Sequence, residues 1–301
     1  MRRGILVATL LFLAALTVVT EGQQVFRSGI DLVTFGVTVV DRKGDLITDL
    51  TRDDFELSED GKVQDLRYFT IGDGEAAPVL HLGLLLDASG SMQSDMKLAQ
   101  SAAIRFLNLL PEAEDLTLVD FDTQVRITRY PQRDFARLVE RIRQRKPDGW
   151  TALYDALGTY LDGADQQEGR RILVMYTDGA DSRSVLRLEE TLTLLKASAV
   201  TVYAIGLVQN TGSYRQQLQM TIMRLVEATG GQAFFPSSMK EVEGAYEKVL
   251  AQIKGQYHLG IVSSNTAADG AWRRVEITVK RPGARVRARK GYFAPYKTSQ
   301  K

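Results

Sequence analysis

The segment Val79-Leu-His-Leu-Gly-Leu-Leu-Leu-Asp87-Ala-Ser-Gly-Ser91 decides the fold. Up to Leu86 it is nearly all apolar, as a strand buried on both faces should be, and parallel sheets covered by helices bury their strands in this way. At Asp87 it turns polar. Two later segments repeat the apolar run, Ile172–Tyr176 and Val200–Val208. Between and after them apolar residues fall at helical spacing: Ala99, Ala102, Ala103, Phe106 and Leu110, then Phe135–Arg143, Ala152–Leu161, Leu186–Ala197, Leu218–Ala228 and Lys240–Ile253. Leu116–Phe121 and Val125–Tyr130 read as strands joined by a turn at Asp122-Thr-Gln124, and Ala233-Phe-Phe235 as a short strand. Strands alternating with helices over residues 79–254 predict an α/β domain, doubly wound, with a mainly parallel sheet and helices on both faces.

The flanks differ. In residues 23–78, Val33, Phe35, Val37 and Val39 alternate with Thr34, Gly36 and Thr38, the period of a half-buried strand. Turns at Asp41–Gly44 and Glu59–Gly61 separate further strands at Phe55–Leu57 and Val63–Phe69. In residues 255–296, Tyr257–Val262 is a strand, Val275, Ile277 and Val279 alternate with polar residues, and Val286 and Ala288 alternate with arginines. Neither flank has enough strands to stand alone. The two are therefore expected to pair into one small β unit, with the α/β domain inserted between them.

The extreme N-terminus reads as a processing signal. Arg2 and Arg3 precede an apolar run from Ile5 to Val19, and Thr20 and Gly22 suit cleavage near Gly22. The run is shorter than the ~20 residues of a membrane span, and no other stretch reads as one. Residues 1–22 are thus expected to be a signal peptide and the mature chain to be exported: periplasmic, cell-surface or secreted. The 301 residues include no cysteine, which excludes disulfides and thiolate metal sites and fits a bacterial envelope. The formal net charge of +1 argues against a nucleic-acid partner. With only His81 and His258 present, far apart in the sequence, a histidine-based zinc or iron site would need mostly carboxylate ligands, and histidine catalysis has few candidates.

Ligands of open α/β sheets bind beyond the carboxyl ends of the strands. The first apolar strand ends in Asp87-Ala-Ser89-Gly-Ser91, the second in Tyr176-Thr-Asp178-Gly179, and Gly149-Trp150-Thr151 opens a helix with Thr151 at or near its N-cap. Two carboxylates and three hydroxyls form an all-oxygen set. That set suits a hard cation, Mg²⁺ first, then Mn²⁺ or Ca²⁺. Neutral hydroxyls coordinate without quenching the cation's charge, which leaves it attractive to an acidic oxygen of a partner protein.

These residues, in this order, resemble the metal-ion-dependent adhesion site of von Willebrand factor A domains. The resemblance covers residues 79–254. It implies direct coordination by Ser89 and Ser91, direct coordination by Thr151 in the ligand-ready state, and coordination partly through water by Asp87 and Asp178. The flanks, with Asp54-Phe55, Glu59-Asp-Gly61 and Arg289-Lys-Gly-Tyr-Phe293, resemble those of secreted bacterial proteins built around this domain. The function implied is non-catalytic: an adhesion or assembly module whose cation grips a partner's carboxylate. A metal-dependent hydrolase using the same site, or a structural envelope protein with a vestigial site, are the rival readings. No histidine, cysteine or lysine stands in the motif loops as a general acid or base.

Other features read as structural. Asp122 suits a hairpin turn better than a place behind the site. His81 and His258 read as structural, and Arg141–Lys146 as the polar end of a helix. The basic stretch from Arg273 to Lys290 is expected to be a solvated face guarding an edge strand rather than a binding surface.

Overall fold

The computed structural model describes residues 32–72, 77–109 and 113–296. The expected signal peptide and the first residues of the N-terminal flank lie outside them. The N-terminal flank forms β1 (Leu32–Val40), β2 (Phe55–Glu59), β3 (Lys62–Val63) and β4 (Leu66–Ile71). The middle of the chain forms β5 (Leu80–Asp87), α1 (Met96–Leu109), β6 (Asp115–Phe121), β7 (Val125–Pro131), α2 (Phe135–Gln144) and α3 (Leu153–Ala164). It continues with β8 (Arg170–Thr177), α4 (Leu188–Ala197), β9 (Val200–Gly206), α5 (Arg215–Glu227), β10 (Ala233–Phe234) and α6 (Met239–Gly255). The C-terminal flank forms β11 (Tyr257–Val262), β12 (Trp272–Val279), β13 (Arg285–Arg287) and β14 (Gly291–Phe293).

The central sheet has the order β10-β9-β8-β5-β6-β7. All its pairings are parallel except the β6–β7 hairpin. The strand that opened the sequence reading, β5, lies inside it, with Leu84 opposite both Leu118 and Val174. Its side chains divide between two cores, as the pleat requires. Leu82, Leu84 and Leu86 pack with residues of α1, α2 and α6, while Leu85 packs with residues of α3, α4 and α5. Gly83 is in the strand for a packing reason: a Cβ there would lie 2.3 Å from the Tyr160 ring of α3. The sequence expectation of a doubly wound, mainly parallel sheet holds.

The flanks build two antiparallel four-stranded sheets, ordered β13-β1-β11-β4 and β14-β12-β2-β3. Each sheet takes strands from both ends of the chain, with β1 paired to β11 and β2 to β12. Phe35, Val37, Leu57, Tyr257, Leu259, Ile261 and Val275 fill one shared core. The continuous strand expected at Val63–Phe69 is broken. Its start, β3, stays with β2, and its remainder, β4, joins β11 in the other sheet. Gln64 holds the crossing point. Its N–H donates to Leu57 O at 2.9 Å, and its amide exchanges bonds of 3.0 Å with the hydroxyl and N–H of Ser264.

Arginines tie the β unit to the α/β domain. Arg170 donates to Gly72 O at 2.8 Å and lies 3.3 Å from His258 Nε2. Arg289 donates to Thr34 O at 2.8 Å and Ser198 O at 3.2 Å, its guanidinium 4.8 Å from the centre of the Phe35 ring. Arg287 donates to the Gln232 side chain. The basic stretch is therefore not simply the solvated face expected from its composition. Arg287 and Arg289 point inward to the seam because β13 lies beside β1, and only Arg281, paired with Asp49 at 2.6 Å, and its exposed neighbours behave as expected.

Candidate metal centre

The loops at the carboxyl end of the central sheet collect the five sequence-selected residues. Asp87 ends β5 and is wholly buried. Its Oδ1 accepts from the Ser89 N–H at 3.0 Å and the Ser89 hydroxyl at 2.6 Å, and its Oδ2 from the Thr177 hydroxyl at 2.7 Å. Ser89 has committed its proton to Asp87, so its lone pairs face the other way, where Ser91 Oγ lies 3.1 Å off. Ser91 is exposed while Ser89 is buried. The 3-10 turn Gly90–Ser94 holds this arrangement by plugging Met92 into the core.

Thr151 arrives on a neighbouring loop stitched to the first. Gly90 N–H donates to Gly149 O at 3.0 Å, and Asp148 N–H to Ala88 O at 2.9 Å. Gly149 has φ +70°, and a Cβ there would lie 2.4 Å from Thr123 Oγ1. The N-cap of α3 is Ala152, with no side-chain cap, and Thr151 lies near the cap, as expected, one residue before it. The reason is that Asp122 O takes the Ala152 N–H at 3.0 Å, and the helix starts one residue later. The Thr151 hydroxyl is thereby not spent on capping. Its backbone is held by Ser182, whose hydroxyl accepts from Thr151 N–H at 3.1 Å and whose N–H donates to Thr151 O at 2.9 Å.

Asp178 follows β8, is buried, and accepts from Ala180 N–H at 2.9 Å. Burial, then the charge of Asp178, push the Asp87 carboxyl up to about 7, against the Ser89 and Thr177 hydrogen bonds that lower it. Neither carboxylate forms an ion pair among the described residues. The nearby Arg126, Arg141 and Arg145 are taken up by Asp120 and Asp122. Two buried carboxylates left without a basic partner, beside three hydroxyls, fit a hard divalent cation. Among the described residues no three histidine, cysteine, aspartate or glutamate side chains gather as metal ligands, so any cation held here depends on the hydroxyls.

Three further residues support the site, of which sequence reasoning gave no role to Thr177, set Ser182 near Asp178 rather than Thr151, and read Asp122 as a turn residue. Thr177 orients Asp87; it lies in the quoted Thr-Asp-Gly segment and, as a hydroxyl at a strand end, carried the only local signal. Ser182 braces Thr151. Asp122 forms the hairpin turn as expected, accepting from Gln124 N–H at 2.7 Å, but it is also an ion-pair partner of Arg126 and Arg145. The expectation that Arg141–Lys146 is only a polar helix end therefore fails for Arg141 and Arg145. Both histidines lie elsewhere: His81 at the start of β5, roughly 20 Å along the strand from Asp87, and His258 in the β unit.

Residues 82–180 match the von Willebrand factor type A domain. With the fold and the order of its elements, this shows that the chain carries a domain of that type. Among solved structures, the chain is similar to the pilus adhesin SpaC from Lactobacillus rhamnosus GG in an open conformation, with 11% identity over 80% of this chain and 48% of that one and a TM-score of 0.51. It is also similar to a von Willebrand factor type A protein from Catenulispora acidiphila, with 13% identity over 91% of this chain and 76% of that one and a TM-score of 0.49. BatB from Bacteroides thetaiotaomicron is a third, with 16% identity over 58% of this chain and 99% of that one and a TM-score of 0.46. At such identities the likeness is one of fold. No curated protein sequence matches the chain.

Proposed function

We propose that this chain is an exported, non-catalytic module for adhesion or assembly that holds Mg²⁺, or Mn²⁺ or Ca²⁺ in its place, at Asp87, Ser89, Ser91, Thr151 and Asp178. The observation that carries the reading is the pair of buried carboxylates at adjacent strand ends, without a basic partner among the described residues, beside exposed Ser91. A bound cation supplies a coordination position that an Asp or Glu oxygen of a partner protein can fill. The chain's residues do the rest. Asp87 is held by Ser89 and Thr177 in one orientation, the hydroxyls bring oxygen without further negative charge, and Trp150 lies exposed next to Thr151.

The remoteness of both histidines supports a binding rather than a hydrolytic role. The fold is one that a pilus adhesin also uses. Export rests on the basic and apolar N-terminus, and the periplasm, the cell surface and the medium all suit it; among the described residues no helix is long and apolar enough to cross a membrane.

Mg²⁺ titration followed by thermal unfolding tests the metal half. Native protein gains about 2.7 kcal/mol at a hundredfold excess over the dissociation constant, and Asp87→Ala and Ser89→Ala lose this gain. Absence of any metal-dependent shift in the native protein overturns the reading. A chelator-sensitive pull-down from envelope extract tests the partner half.

A further inference from the structure

The loop from Lys146 to Thr151 carries one of the five proposed ligands, and both its ends converge on Asp122. At one end Arg145, which follows directly on α2, pairs with the Asp122 carboxylate and lies 3.1 Å from Asp120 Oδ1. At the other end Ala152 N–H donates to Asp122 O at 3.0 Å. Between them Trp150 N–H donates to Thr123 Oγ1 at 2.9 Å, the residue next to Asp122. The turn itself is closed by the Asp122 carboxylate, whose Oδ1 accepts Gln124 N–H at 2.7 Å.

Charge balance does not explain Arg145. Asp120 already has Arg141 at 3.2 Å and Arg126 at 3.5 Å, and Asp122 has Arg126 at 3.2 Å. Two arginines thus satisfy two buried carboxylates. The third is the one whose backbone enters the Thr151 loop, and its side chain is only 17% exposed. What it adds is a tie between the loop's entry and the turn that already holds the loop's exit.

We infer that Arg145 and Asp122 are positioning residues for the cation site: they close the 146–151 loop into a ring and so set the place of Thr151. The inference rests on the metal reading proposed above. It assigns a binding consequence to groups that touch none of the five ligands, as groups behind metal ligands tune affinity in other proteins by about 10- to 100-fold.

The test uses the full chain. Trp150 and Trp272 are its two tryptophans, so in a Trp272→Phe background the emission of Trp150 reports on the loop. Arg145→Met is expected to lower Trp150 anisotropy without metal and to weaken Mg²⁺ binding about 10- to 100-fold. Arg145→Lys is expected to recover part of both. Thr123→Val removes the Trp150 acceptor at an exposed position and is expected to act in the same direction, which keeps the test valid if Arg145→Met does not fold. Unchanged Mg²⁺ affinity in Arg145→Met, or in Thr123→Val where the former is unfolded, overturns the positioning role and leaves the metal reading intact. No Mg²⁺ binding by the parent protein overturns both.

Discussion

Asp87 carries a high electrostatic cost, and its neighbours show how the chain meets it. A wholly buried carboxylate facing another is stable only if hydrogen bonds or a cation compensate. The Ser89 and Thr177 hydroxyls supply part of that. Thr177→Val keeps the side chain's shape and removes the donor to Oδ2, so metal-free protein is expected to lose about 1–3 kcal/mol in urea unfolding. An unchanged midpoint would show that Thr177 does not support Asp87. Gly83 is a second single-residue constraint. Gly83→Ala drives a methyl into the Tyr160 ring, and the expected cost is about 1–3 kcal/mol by the same measurement.

Among the elements, periodicity settled type more firmly than partners. Apolar runs marked β5, β8 and β9 as buried strands because each side chain there meets a helix layer whichever way it points. Amphipathic spacing marked the helices because each packs only one face against the sheet. What periodicity left open was where a strand stops. Val63 to Phe69 reads as one strand, yet the chain changes sheets at Gln64, and the bonds that hold it there reach Ser264, 200 residues away. Gln64→Ala removes three side-chain hydrogen bonds at a buried crossing. It is expected to cost about 1–3 kcal/mol and to speed amide hydrogen exchange at Ser264; unaltered exchange there would deny Gln64 this role.

In the whole molecule, the seam between the α/β domain and the β unit is set by buried cations. Arg289→Met leaves two carbonyls without their donor and is expected to destabilise by about 2–4 kcal/mol; coincident midpoints for variant and parent in denaturant would refute this. His258 makes the seam sensitive to acid. Burial, and then the charge of Arg170, lower its pKa to about 3 from 6.5. The unfolded chain therefore binds the proton more readily, and stability is complete above 6.5. It falls as the pH drops from 6.5 towards 3, by about 1.4 kcal/mol per unit. His258→Gln is expected to flatten the decline between pH 7 and 5.5; equal slopes for both proteins would place the acid sensitivity elsewhere.

The sequence by itself determined the element types, the mainly parallel sheet, the β unit made from both ends, and which five oxygen-bearing side chains stand at the sheet's carboxyl edge. These follow from local period and from strand ends, which neighbouring residues encode. Tertiary structure alone decided that Thr151 precedes the helix cap, that Arg287 and Arg289 turn inward, and that three arginines gather on Asp120 and Asp122. Each depends on a partner supplied by a distant segment: Arg289 meets Thr34 across 255 positions. A charge written in sequence carries no record of whether the fold will bring it a carbonyl, a carboxylate or water, and that encounter determines whether it lies at the surface or holds the molecule together.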